Sequence, residues 1–226
     1  MVRLQSIATS FVLLFWFSTS LQPVLLEAQN NPFLFFSWKK INSRGPNESY
    51  QVELNEKGTG QIQIKMREGD PVNLDVVLKL SAIDHLLSLF VQADFFNESK
   101  NFVSPRKVAD MGMKTVRFES GSRNREVVYN YTEDKALQEI SNFFENLCSQ
   151  ERTLFELDLA LKYDRLGIPK KLDELELSFS AKRIVAPERF APILEKIYQD
   201  TTLINLARKE AKKLLSRIRK MQAYPN

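Results

Sequence analysis

Hydrophobic residues recur with a period of two over residues 50–66 and with a helical period over residues 83–91, and this change of period limits the chain to folds that mix strands with helices. Tyr50, Val52 and Leu54 alternate with polar residues, as do Ile62, Ile64 and Met66. Between the two runs lies Asn55-Glu-Lys-Gly-Thr-Gly60, whose glycines suit a tight turn. Alternation on both sides of a glycine turn is the signature of a β-hairpin. An aromatic stretch, Phe33 to Ile41, follows Pro32 and reads as a strand, and Asn42 to Ser49 reads as a loop. A third run, Val72 to Leu80, alternates less cleanly.

Helical signals begin at Ser81-Ala-Ile-Asp84, which has the form of a capping box. The residues after it set Ile83, Leu86, Leu87, Phe90 and Val91 on one face, and the pattern ends near Phe95-Phe96. Two more strands are expected at Thr115–Glu119 and Glu126–Tyr131. Thr132 is then placed to cap a helix with Glu133 and Asp134 in its first turn and an apolar face of Leu137, Ile140, Phe143 or Phe144, and Leu147.

No Gly or Pro occurs from Glu133 to Leu166, so this helix can run on or restart near Gln150. Residues 155–181 carry two competing patterns. Phe155, Leu157, Leu159, Leu161 and Tyr163 alternate like a strand, and so do Leu175, Leu177 and Phe179. We favour helices, because Leu166-Gly167-Ile168-Pro169 reads as a helix C-cap followed by proline at the next helix start. Ala186-Pro187-Glu188 opens a further helix, and a last one spans about Thr202 to Met221. In it Ile204, Ala207, Ala211, Leu214, Ile218 and Met221 form an apolar strip suited to a neighbouring helix or to a partner.

The expected fold class is therefore α+β: an antiparallel sheet with two packed helices, followed by an all-α extension. The layout is a signal peptide at 1–28, an α+β domain at 29–150 and a helical extension at 151–226. The first segment rests on Arg3, the uncharged apolar run Ile7–Leu21, Gln22-Pro23, and a small residue at Ala28 before Gln29. The apolar run is shorter than the roughly 20 residues a membrane span needs. A cleaved secretory signal is favoured over a retained anchor, which makes the expected location secreted or periplasmic. A single cysteine, Cys148, excludes an intramolecular disulfide and reads as a buried thiol. Three Asn-x-Ser/Thr sequences, at Asn47, Asn97 and Asn130, could take glycans in a eukaryotic secretory pathway.

The stretch from Tyr50 to about Leu147 resembles a family of bacterial secreted domains of unknown function. The likeness is carried by Tyr50-Gln-Val-Glu-Leu with Gly58-Thr-Gly60, by Leu89-Phe90-Val-Gln-Ala-Asp94-Phe95-Phe96, and by Asp110-x-Gly112 followed by Lys114-Thr-Val116. The tail, with Asp164-Arg-Leu-Gly-Ile-Pro and Leu206-Ala-Arg-Lys-Glu-Ala, looks like helical extensions of uncharacterised soil-bacterial proteins. The resemblance implies an exported bacterial protein and no particular activity.

Chemistry-bearing residues are sparse. One His and one Cys cannot form a usual zinc ligand set, so no metal is expected. Seven glycines in 226 residues give no phosphate-cradling loop, so no nucleotide cofactor is expected either. His85 follows Asp84, but adjacent helix positions diverge by about 100°. Asp94 reads as a helix-end or turn carboxylate, and Trp38, beside Lys39 and Lys40, reads as a core or edge-strand aromatic before it reads as a stacking platform.

Charge is the clearest functional signal. The net charge is +4, and residues 151–226 hold 16 Lys and Arg against 11 Asp and Glu. The last helix carries Arg208, Lys209, Lys212, Lys213, Arg217, Arg219 and Lys220 with one acid, Glu210. The leading expectation is an exported non-enzymatic module that binds an unidentified protein partner. The alternative is binding of a polyanion or membrane surface through this basic helix. A hydrolase with a carboxylate-based site ranks last.

Overall fold

A computed structural model describes residues 33–223 with the exception of Pro46. The signal-peptide reading lies outside the described residues. Six strands appear: β1 (Leu34–Ile41), β2 (Asn47–Asn55), β3 (Thr59–Met66), β4 (Val72–Val77), β5 (Met113–Ser120) and β6 (Arg123–Tyr129). Five α-helices accompany them: α1 (Leu80–Gln92), α2 (Lys135–Tyr163), α3 (Ile168–Ser180), α4 (Ala191–Gln199) and α5 (Asn205–Ala223). A single 3-10 turn, Pro187–Phe190, leads into α4.

The strands form one antiparallel sheet in the order β4-β3-β2-β1-β5-β6. β1 is therefore central, although it comes first in the described chain. Its register sets Trp38 opposite Val52 on one side and Val116 on the other. Alternation then sends Phe36, Trp38, Val52, Leu54, Ile62, Ile64, Val116 and Phe118 to one face, where they are buried with α1 and the first half of α2. Rings carry much of this packing: Phe36 and Phe118 stack at 5.0 Å, Phe90 and Phe118 at 4.4 Å, and Trp38 and Phe144 at 5.8 Å. The opposite face is polar, with side-chain hydrogen bonds from Gln61 to Asp75 (3.3 Å) and Gln63 to Asn73 (3.0 Å). The α+β class, with its C-terminal helices packed after the sheet, is what the hydrophobic periods predict.

Helix α2 runs unbroken through Gln150 and serves two cores. Its first half packs on the sheet through Ile140, Phe144 and Leu147. Its second half contributes Leu157 and Ala160 to a helical core with Leu172, Phe179, Phe190, Leu194, Ala207, Leu214 and Ile218. The strand-like alternation at 155–163 is incidental, since Leu157 and Ala160 are buried while Leu159 faces outward. Where the two cores meet, Gln150 Oε1 accepts the backbone N–H groups of Val185 (3.1 Å) and Ala186 (2.8 Å). Beside it, Arg189 donates to both carboxylate oxygens of buried Glu151, at 2.6 and 2.7 Å. Arg189 also donates to the backbone carbonyls of Val77 and Asp75, both at 3.2 Å, and so ties the edge strand to the helical half.

Several local expectations require correction. Helix α1 starts at Leu80 with Lys79 at its cap and no capping side-chain hydrogen bond, so Ser81 and Asp84 form no capping box. Val91 is 72% exposed, and Leu89 takes its place in the core because the contact stripe follows 83, 86, 89 and 90. Asp134, not Thr132, caps α2 by accepting the Leu137 N–H at 2.8 Å. Thr132 accepts from Asp134 one step earlier. Gly167 is the N-cap of α3 and not the C-cap of α2, which ends at Tyr163.

Candidate functional site

The basic residues of α5 divide by the helix face they occupy. Ala207, Ala211, Leu214, Leu215 and Ile218 are buried, so the apolar strip is taken up by the protein's own helical core. The expectation that this strip seats a neighbouring helix holds at four of its six positions, Ala207, Ala211, Leu214 and Ile218, while Ile204 and Met221 remain exposed. Arg217 and Arg208 flank the strip and hold the helix down. Arg217 pairs with Glu176 of α3 at 3.0 Å, donates to the Phe179 carbonyl at 3.2 Å, and lies over the Phe179 ring at 5.4 Å. Arg208 donates to the Tyr198 carbonyl at 3.3 Å.

The other five cations are exposed. Lys209, Lys213 and Lys220 recur at intervals of four and seven, which places them on one outward stripe about 16 Å long. Lys213 is shared with Glu210 (3.5 Å) and Glu176 (3.8 Å). Lys212 lies over the Tyr198 ring at 5.5 Å, and Arg219 pairs with Glu195 at 3.3 Å. Lys209 and Lys220 have no ion-pair partner among the described residues. At the N-terminal end of the stripe, Ile204 and Leu206 are 45% and 56% exposed. The structure thus brings together a row of outward lysines and, on the same side, the exposed Leu206, on a helix whose inner face is anchored.

A second polar region lies where the sheet meets α2, and the sequence patterns do not mark it. The inward-facing register of β1 and β5, apolar at Phe36, Trp38, Val116 and Phe118, ends in a directly opposed pair of lysines, Lys40 and Lys114. Lys40 pairs with Glu145 of α2 at 3.1 Å. Lys114 is buried and donates to the carbonyls of Met111 (3.4 Å) and Asn130 (3.3 Å). Burial holds its ammonium below the ordinary lysine range, with Lys40 adding to the effect and Glu145 and Asp110 opposing it.

Two cavities adjoin the Lys40–Glu145 pair. One, of about 350 Å³, is lined by Lys114, Tyr129, Gln138 and Ser141 among others. The other, of about 310 Å³, lies among Trp38, Asn42, Arg44, Asn47, Tyr50, Cys148, Ser149 and Arg152. Tyr129 is hydrogen-bonded to Ser141, and burial pushes its hydroxyl up to about 12. Burial also raises the Tyr50 hydroxyl and the Cys148 thiol. Period-based reading misses this region because isolated polar residues at inward positions leave no repeating signal. The nearest cue is the Trp38-Lys39-Lys40 triplet, in which Lys39 and Lys40 fall on opposite faces of β1.

The remaining singled-out residues have structural settings. Trp38 is fully buried in the central strand, and Cys148 is buried. Asp94 sits in a turn with φ of 48° and accepts from Asn97 at 2.8 Å. His85 is exposed on α1. Among the potential glycan acceptors, Asn97 is exposed, whereas Asn47 is buried with its amide donating to the Tyr50 hydroxyl. Asn130 uses its side-chain amide to bridge Ala109 and Met111. Among the described residues, no group of three or more His, Cys, Asp or Glu converges as a metal site would require, and no helix is long and apolar enough to cross a membrane. No family model matches the chain, and no curated protein matches it.

Proposed function

We propose that this is an exported, non-enzymatic binding module that attaches to an anionic lipid surface through the outward face of α5. The observation that carries this reading is the division of labour on that helix. Its apolar strip and two of its arginines are engaged in the fold, and Lys209, Lys212, Lys213 and Lys220 are exposed on the outward side, which Leu206 shares. Each lysine near an anionic bilayer contributes about 1 kcal/mol, so four of them yield a binding that salt removes. An exposed apolar residue next to the stripe adds contact with the acyl boundary, which favours lipid over nucleic acid. The exported part of the proposal rests on the signal-like pattern of residues 1–28.

The test is cosedimentation of the full chain with vesicles of phosphatidylglycerol and phosphatidylcholine at increasing salt. The N-terminal apolar run is able to partition on its own, so vesicles of phosphatidylcholine alone serve as the reference. Binding that requires phosphatidylglycerol and collapses near physiological ionic strength supports the proposal. Equal binding to both vesicles at all salt concentrations refutes it.

A second reading, a protein partner, is favoured by a different feature. On the polar face of the sheet, Ile41 and Met113 are directly opposed across β1 and β5 and are 47% and 45% exposed. Val128 of β6, opposite Thr115 and so two residues along β5 from Met113 on the same face, is 48% exposed. This is a small apolar patch in a polar surround, the usual form of a contact surface. Crosslinking through a photoreactive group at position 113 that captures one defined protein from the exported fraction would support this reading over the lipid surface.

A further inference from the structure

We propose that the 310 Å³ cavity between β1, β2 and α2 is a binding site for a small organic carboxylate, a ligand class independent of the surface formed by α5.

The argument begins with Lys40. Its position is inward-facing on the central strand, two residues beyond fully buried Trp38. A fold maintained for stability alone is better served there by an apolar side chain, because a half-buried ion pair recovers little more than its desolvation cost. Here an ion pair with Glu145 occupies the position, and further cations gather around it. Arg44 and Arg152 line the same cavity, so its walls hold three cations and one carboxylate; Arg152 also pairs with Glu156 outside the walls at 3.5 Å, and Arg44 has no ion-pair partner among the described residues. The imbalance calls for an anion.

The hydrogen-bonding inventory leads to the same conclusion. The indole N–H of Trp38 is buried and has no hydrogen-bond partner among the described residues. Arg152 Nε is likewise buried without a hydrogen-bond partner, its nearest acid being Glu156 at 3.5 Å. The Tyr50 hydroxyl accepts from Asn47 and keeps its own proton to donate. A buried donor left unpaired is costly, and a ligand that brings only acceptors relieves that cost. A carboxylate is such a ligand, and planar guanidinium groups match its two oxygens.

The rest of the lining sets the ligand's other half. Buried Trp38 and Cys148 form the inner wall, whereas Arg44 and Ser149 are exposed at the rim. Burial keeps the Cys148 thiol protonated, so it acts as an apolar surface and not as a nucleophile. A ligand with its carboxylate at the arginines and an aromatic or branched aliphatic body against Trp38 fits these walls. The volume lies at the small end of the range for small-molecule sites, about 300–1,000 Å³.

Benzoate is a suitable probe, benzamide its neutral counterpart, and inorganic phosphate a comparison anion. The full chain carrying Trp16→Phe leaves Trp38 as the only indole, whose N–H resonance is followed in a ¹⁵N-labelled sample. Benzoate is expected to shift that resonance saturably, and benzamide to leave it in place. Arg44→Gln and Arg152→Gln should each weaken benzoate binding at least about tenfold. Arg44 is exposed, so its variant keeps the fold and the test remains decisive if Arg152→Gln does not. No saturable shift with benzoate, an equal response to benzamide, binding unaffected by either arginine variant, or a response to phosphate alone would each overturn the assignment.

Discussion

Arg189 is the residue on which the junction between sheet and helices depends most. It satisfies Glu151, whose side chain is 3% exposed, and it also serves two carbonyls of the edge strand. Removing the guanidinium strands a buried carboxylate, so Arg189→Met is expected to cost about 3 kcal/mol, read as a lowered urea midpoint with an unchanged slope. The double variant Arg189→Met with Glu151→Gln should lose less than the single one, because no charge is then left unpaired. Tyr129 provides a pH signature. Its hydroxyl titrates near 10 in an unfolded chain and at about 12 in the fold, so the folded state holds the proton longer. The corresponding stability is complete below pH 10 and is lost as pH rises from about 10 to about 12. Tyr50 and Cys148, both raised by burial, act in the same direction. Tyr129→Phe should flatten part of that alkaline loss, at a cost of about 1 kcal/mol at neutral pH for the lost hydrogen bond to Ser141. At this scale sequence reading is weakest. Trp38, Cys148 and Asp94 take the settings their neighbours suggest, yet Lys40, Lys114 and Glu145 acquire meaning only through strand register and helix packing, which bring together positions 40, 114 and 145.

Among the elements, the β2–β3 hairpin depends on a glycine for reasons of space. A Cβ on Gly60 would lie 1.8 Å from the Glu53 carbonyl oxygen on the neighbouring strand. Gly60→Ala is therefore expected to destabilise the fold by about 2 kcal/mol or more, detectable as a lower melting temperature. The hairpin itself is plain in the sequence, since alternation and turn chemistry agree. The helices after residue 150 are less so, because Leu-rich runs satisfy a period of two and a helical period together, and only burial of Leu157, Ala160, Leu172 and Leu175 separates the two. Helix caps are the least legible feature. Ser81 and Thr132 have the right chemistry two positions from the true ends, where Lys79 and Asp134 sit with extended backbone.

For the whole molecule, α2 is the spine. Twenty-nine residues long, it joins a sheet core to a helical core, in which α5 packs on α3 and α4 with its lysines outward. The α+β class was readable from the hydrophobic periods, and the basic helix from composition, because both are written in consecutive residues. Which of the seven cations face outward was not, since that depends on contacts with Glu176, Glu195, Phe179 and Tyr198 from α3 and α4. Export is part of the same proposal, and mass spectrometry of the protein recovered from its native cells should find an N-terminus at Gln29. The central claim, attachment of the α5 lysine face to anionic lipid, is most directly tested by a charge variant. Lys209, Lys212, Lys213 and Lys220 are changed together to Gln in the full chain, and partition onto phosphatidylglycerol vesicles at low salt is compared with the wild type. Both proteins share the N-terminal apolar run, so a difference reports on α5 alone. The account predicts an unchanged melting temperature and at least a hundredfold weaker partition, on the order of 1 kcal/mol for each lysine. Equal partition of the variant and the wild type would contradict it.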